Sequence, residues 1–213
     1  MASVHSVNVG GLRPIPYRGK EVQTGIFKRP VRGRIAARGV QLEGDEQGNA
    51  KVHGGFDKAV YAYAAEDYEW WSGELSRRLE PGTFGENLTT AGLELNEALI
   101  GDRWKVGTAV LEVSEPRFPC FKLGARMGTQ RFVKRFAEAR RTGAYLRIVE
   151  EGDLGAGDAI EVVERPDHEV TIGRFAEAYL GDRTGLEGLL TADRLSDQWR
   201  SWIEDELAKR RAA

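Results

Sequence analysis

The densest chemistry lies in Glu115-Pro116-Arg117-Phe118-Pro119-Cys120-Phe121-Lys122-Leu123. Pro116 and Pro119 each fix a backbone φ, so the loop is stiff and the Cys120 thiol is held rather than swung. Arg117 and Lys122 bring two positive charges close in sequence to the sulfur, and a nearby cation favours thiolate over thiol. A thiolate attacks electrophiles or binds a soft metal. The same residues also describe a rigid turn with two surface cations around a buried cysteine acting as a small apolar side chain, the commoner fate of a lone cysteine.

A second group runs from Gly44-Asp45-Glu46-Gln47 to Lys51-Val52-His53-Gly54-Gly55. The paired glycines after His53 can take positive φ and let a ligand approach the backbone, although a histidine at the end of a strand in an ordinary turn would read identically. No second histidine or carboxylate stands at zinc-ligand spacing, which disfavours a zinc site. The third group is Gly82-Thr83-Phe84-Gly85-Glu86-Asn87-Leu88-Thr89-Thr90. Asn87 offers two donors and an acceptor to a heteroatom-rich ring, and Glu86 could accept from ring N–H groups. A turn using Asn for local backbone bonding fits equally well. No phosphate loop, dinucleotide fingerprint, serine elbow or Cys-Xaa-Xaa-Cys pair occurs.

The elements that must position these residues are read from punctuation and period. Glycine makes up 26 of 213 residues, about 12% against a typical level of about 7%, which favours tight turns between short strands. Strands are expected over Glu21–Phe27, Val31–Ala36, Ala59–Ala64, Trp104–Val113, Ala144–Val149 and Asp158–Val163, with a further one after Asn87. Two helices interrupt them. Tyr68, Trp71, Leu75 and Leu79 share one helical face, and Phe132, Val133 and Phe136 another, with Thr129 as cap and Gly143 beyond the end.

After Arg165-Pro166-Asp167 the glycines thin and the pattern turns helical. A boundary is therefore expected there, with one domain over 1–165 and a three-helix extension over 166–213. Ile172, Phe175, Ala176, Tyr179 and Leu180 form an amphipathic stripe. Thr184-Gly185-Leu186-Glu187 reads as a capping box. Ser196 is the expected cap of a third helix facing inward through Trp199, Trp202, Ile203 and Leu207. The Lys209-Arg210-Arg211 end suits a solvated helix terminus.

Lys+Arg total 31 and Asp+Glu 33, a formal charge of −2, so no global polycation awaits nucleic acid or anionic lipid. No apolar run approaches the roughly 18 residues that span a bilayer. One cysteine excludes an intramolecular disulfide, and the start Met1-Ala2-Ser3-Val4-His5 has no basic-then-apolar signal. A cytoplasmic protein is expected.

Taken in order, Thr24-Gly25-Ile26-Phe27-Lys28-Arg29-Pro30-Val31, Gly44-Asp45-Glu46-Gln47, Lys51 to Val60, Phe84-Gly85-Glu86-Asn87-Leu88, Ile100-Gly101-Asp102 and Pro116 to Leu123 resemble the MOSC domain family, and within it the YiiM-like branch. Leu195-Ser196-Asp197-Gln198-Trp199 is similar to that branch's three-helix extension. The resemblance implies a mainly β, α+β fold: a β-barrel-like domain with inserted helices and a small C-terminal three-helix appendage. It implies a molybdenum cofactor, a pterin dithiolene carrying a phosphate, with Cys120 as the protein ligand to the metal. Arg117 would offset its negative charge, Glu86 and Asn87 would line its pocket, and Lys28 and His53 would reach the phosphate or the pterin edge. Asn49, Phe56 and Phe121 depart from the family's commoner text, which bears on substrate placement more than on metal binding.

The activity so implied is two-electron reduction of N-hydroxylated compounds, N-hydroxylated purine bases among them, fed by an external redox partner such as a flavoprotein. A homodimer is compatible with it. Two other readings stay open on the residues: a sulfur carrier with a persulfide on Cys120, and a cofactor-binding module without turnover.

Overall fold

The strand leading to the cysteine loop, β10 (Ala109–Pro116), is buried along nearly all its length because it has a neighbour on each side. β9 (Arg103–Val106) and β11 (Ala144–Glu150) flank it, both antiparallel. Glu112 on β10 is paired in register with Arg103 on one side and Arg147 on the other. Its carboxylate accepts from Arg103 Nε at 2.9 Å and from Arg147 Nη1 at 2.7 Å. A slip of one residue would strand this buried charge, so the ion pairs specify the register that aims the loop.

The structure, a computed structural model, describes residues 1–48 and 54–212. Eight strands form the main sheet, in the order β13-β9-β10-β11-β7-β8-β1-β4. The remaining members are β1 (Ser3–Val9), β4 (Arg29–Pro30), β7 (Val60–Ala64), β8 (Leu88–Ala91) and β13 (Ile160–Glu164). Pairing is antiparallel except between β7 and β8. The two ends of this sheet approach each other through Ile160 N to Ala2 O at 2.9 Å and Val4 N to Asp158 O at 2.9 Å, with a single bridge at Ser3 and Ala159. No continuous ladder joins them, so the sheet-dominated α+β fold is not a closed barrel. A hairpin of β2 (Arg13–Tyr17) and β3 (Lys20–Thr24) stands apart, and β12 (Gly152–Gly155), β5 (Arg34–Arg38) and β6 (Gln41–Leu42) form a small third sheet.

Several expected bounds shift for local reasons. The strand expected through Phe27 ends at Thr24, and the residues after it turn inward. The stretch expected over Trp104–Val113 splits at Gly107, whose φ of 61° makes the hairpin turn. The first helix, α1 (Ala65–Glu74), stops short of Leu79. A six-residue helix, α2 (Phe121–Arg126), follows Cys120 directly and was not expected from periodicity. The cap of helix α3 (Arg131–Glu138) is Gln130 rather than the expected Thr129, whose hydroxyl accepts from Arg131 N at 3.4 Å.

In the C-terminal segment, α4 (Ile172–Leu180) is capped by Thr171 and α6 (Asp197–Arg211) by Ser196. The capping box at Thr184 is not formed. Gly185 is the cap in a left-handed conformation, and Thr184 bonds to Asp182 instead, leaving only the four-residue α5 (Leu186–Leu189). Ile172, Phe175, Leu186, Leu189 and Ile203 share one apolar cluster with Val4, Leu111, Val113 and Leu146 of the sheet. Among the described residues, no helix is long and apolar enough to cross a membrane.

Candidate functional site

Cys120 sits half-buried at the end of the stiff loop, where β10 gives way to α2. It opens on a cavity that Lys28, Asp45, Lys58, Tyr61, Asn87, Arg117, Lys122 and Tyr145 also line. Cys120 is thus among the residues lining a hollow with charged walls and is not sealed among apolar side chains.

Arg117 is 5% exposed. Its guanidinium lies 5.5 Å from the Tyr61 ring centre and 5.5 Å from that of Phe136, so the two aromatics hold it by cation–π contact. Its Nη1 is buried with no hydrogen-bond partner. Leaving a buried donor unmet costs on the order of 1–3 kcal/mol, more when charged, and an anion in the cavity would satisfy it. Lys122 also lines the cavity, and burial pushes its ammonium below the ordinary lysine range, with Cys120 opposing the shift.

The opposite wall is neutralised within itself. Asp45 Oδ1 accepts from Gly10 N at 2.9 Å and from the Lys28 ammonium, while Oδ2 accepts from Asn87 Nδ2 at 3.0 Å. Burial pulls Lys28 downward and the Asp45 charge resists it. Asn87 in turn accepts from Tyr61 N at 3.1 Å through Oδ1. The amide thus ties the loop before β8 to β7. Lys28 and Asn87 line the cavity as expected, but with their polar atoms largely committed to the fold.

Glu86 stands behind the cavity wall. It is fully buried and lies outside the cavity lining. Its Oε1 accepts from Tyr68 Oη at 2.7 Å, Gly82 N at 2.6 Å and Thr89 Oγ1 at 2.9 Å, so it braces the loop rather than meeting a ligand's ring. His53 and Asn49 lie outside the described residues.

Three lining residues were not singled out from sequence. Lys58 pairs with buried Glu115 at 3.2 Å, and burial raises that carboxyl against the pull of Lys58. The Tyr61 hydroxyl donates to Thr142 O at 2.8 Å, and burial pushes it well above the ordinary tyrosine range. Burial likewise pushes Tyr145 up to about 12, with Arg117 opposing. Tyr145 stands opposite Glu115 in the β10–β11 register. Only that pairing brings residue 145 to the cysteine loop, and spacing along the chain carries no trace of it.

The C-terminal helices reach the site at Phe118. Phe118, a lining residue, packs at ring-centre distances of 6.1 Å from Phe175, 4.2 Å from Tyr179 and 5.5 Å from Trp199.

A family model described as MOSC domain matches residues 49–161. The chain belongs to the MOSC domain family. It is 38% identical over 203 residues to YflK of Bacillus subtilis (strain 168), covering 93% of this chain and 91% of that one. A protein of Gibberella moniliformis named "Reductase" is 36% identical over 152 residues, covering 70% of this chain but only 27% of that relative. The crystal structure of YiiM from Geobacillus stearothermophilus superposes with a TM-score of 0.81 at 28% identity, covering 97% of this chain and 100% of that one. This MOSC protein is therefore YiiM-like in sequence and in fold.

Proposed function

We propose that this protein reduces N-hydroxylated compounds, including N-hydroxylated purine bases, with a molybdenum cofactor held by Cys120. One observation carries the reading: a half-buried thiol lines an open cavity together with a buried guanidinium whose Nη1 lacks a partner. Soft thiolate suits molybdenum, and Arg117 and Lys122 suit a cofactor bearing negative charge. The residues present therefore fit the group. When bound, the cofactor supplies the two-electron redox change. Tyr61 and Phe136 keep Arg117 in place, and the proline-flanked loop keeps the thiol aimed into the cavity. Lys58 Nζ, anchored by Glu115, and the Tyr145 hydroxyl hold protons at the wall.

In the net reaction the N–O bond breaks, and two protons and two electrons yield the amine and water. The electrons come from a separate protein donor. The relative named as a reductase supports reductive chemistry in this family, and the match occupies about a quarter of that protein. The lone thiol suits a reducing, cytoplasmic setting.

The test uses protein from a host that makes the cofactor. Wild type is expected to contain molybdenum and to reduce 6-N-hydroxylaminopurine with reduced methyl viologen. Cys120→Ala should lose metal and at least about a thousandfold of the turnover while its circular dichroism is unchanged. Undiminished turnover in that variant overturns the assignment. So does wild type without molybdenum but with a stable sulfur adduct on Cys120 by mass spectrometry.

A further inference from the structure

Eleven of the 23 arginines are ion-paired among the described residues. Arg34 meets Asp158, Arg103 and Arg147 meet Glu112, Arg135 meets Glu74, Arg141 meets Asp67, Arg165 meets Asp102 and Arg183 meets Glu206. Several of the cations without an ion pair gather in one region. Arg13, Arg18 and Lys20 of the β2–β3 hairpin, Arg29 of β4 and Arg126 of α2 have no ion pair among the described residues, and all but Arg126 are exposed. Arg13 and Arg126 both lie over the Phe27 ring, at 5.7 Å and 5.4 Å from its centre. Arg126 feels the repulsion of both Arg29 and Arg13, which, after burial itself and against the pull of Tyr68 and Glu86, helps to lower its ionisation. Its buried Nε has no partner. Acidic groups here are few: Glu21 on the hairpin, and Glu46, which accepts from Leu12 N at 2.8 Å.

This basic face adjoins the cavity. The Tyr17 ring stacks at 3.7 Å on Phe121, the residue after Cys120, and β3 runs directly into Thr24, Gly25, Ile26 and Lys28 of the lining. In a chain of formal charge −2, gathering unpaired cations here costs self-repulsion that a complementary acidic surface would relieve. Electron-transfer encounters between proteins are small and weak in area, and rely on charge to orient them close to the redox centre.

We propose that the face formed by Arg13, Arg18, Lys20, Arg29 and Arg126 is the docking surface for the acidic face of the protein that donates electrons to the Cys120 site. The inference rests on the reductase reading and names the chemistry of its partner. The donor gives two electrons, singly or together, and is oxidised; the N-hydroxylated substrate takes them and two protons, losing its oxygen as water.

The probe is flavodoxin, an acidic flavoprotein, used with the full-length holoprotein. With reduced flavodoxin as donor, kcat/KM should fall at least about tenfold between about 20 mM and about 300 mM salt. The triple variant Arg13→Glu, Arg18→Glu, Arg29→Glu should lose a similar factor at low salt, and the corresponding triple Gln variant less. Turnover driven by reduced methyl viologen, which needs no docking, should stay within about twofold in both. Equilibrium binding of oxidised flavodoxin, followed by titration calorimetry, should weaken in the same order independently of turnover. Viologen-driven turnover in wild type with no flavodoxin binding, or flavodoxin-driven rates indifferent to salt and charge reversal, overturns the docking surface alone. Binding of a DNA or RNA duplex at this face in place of flavodoxin overturns it too. Absence of viologen-driven turnover in wild type overturns the reductase reading, and the docking surface with it.

Discussion

Glu86 and Asn87 are adjacent, buried and polar, yet they serve different ends. Asn87 presents its backbone and amide between β7 and the Asp45 loop, whereas Glu86 sits behind the wall with three donors on one oxygen and none on the other. Burial outweighs those donors and raises its carboxyl above the ordinary value of 4.5. A carboxyl raised by folding favours the protonated form in the native state. Its contribution is therefore fully present below pH 4.5 and is lost as pH climbs through the raised value. Glu86→Gln keeps an oxygen for the three donors and removes the charge. Urea unfolding should show the variant roughly 1 kcal/mol more stable than wild type at pH 8, with the gain shrinking toward pH 4.5. An equal difference at both ends of that range would mean that the carboxyl does not titrate differently on folding.

At the scale of elements, the cysteine loop is held from two sides. Behind it, β10 is locked between β9 and β11 by the Glu112 ion pairs. In front, Phe118 is embedded among Phe175, Tyr179 and Trp199. Only Pro119 stands between Phe118 and Cys120, so little slack separates the packing from the thiol. Phe118→Ala should cost about 3 kcal/mol of stability by chemical denaturation, and should lower the molybdenum retained per chain even where the protein remains folded. Phe118→Leu should keep most of both. Equal metal content in wild type and Phe118→Ala would show that the loop holds its shape without the helices.

At the scale of the whole molecule, the C-terminal helices are part of one core. The chain passes Pro166 and bonds back at once: Ile100 N donates to Val170 O at 3.0 Å and Ile172 N to Ala98 O at 2.9 Å. Ile172, Phe175, Leu186, Leu189 and Ile203 then bury against the sheet. Truncation after Arg165 would expose that face, an apolar area too large for a monomer to leave in water. The truncated chain is expected to aggregate on size exclusion, and the full chain to unfold in one cooperative transition. A soluble, monomeric 1–165 fragment would show instead that the extension is a separate unit.

The sequence by itself determined the local features: the rigid Pro116–Pro119 loop carrying the thiol, the Ser196 cap, the amphipathic α4 and the family text. Each depends on neighbours within a few residues, where backbone restriction and side-chain period act directly. It also separated the sheet-rich part from the helical part. Tertiary structure alone decided which groups meet. Lys58, Tyr145 and Asp45 reach the cavity because strand register and a long loop return bring them there. Glu86 is turned behind the wall, where Tyr68, Gly82 and Thr89 hold one of its oxygens. The short α2 was hidden because six residues carry less than two helical turns of period, and the Thr184 box failed because Asp182 offered its hydroxyl and amide a nearer acceptor. Contacts across dozens of residues are governed by register and packing, which leave no mark in the spacing of residue types.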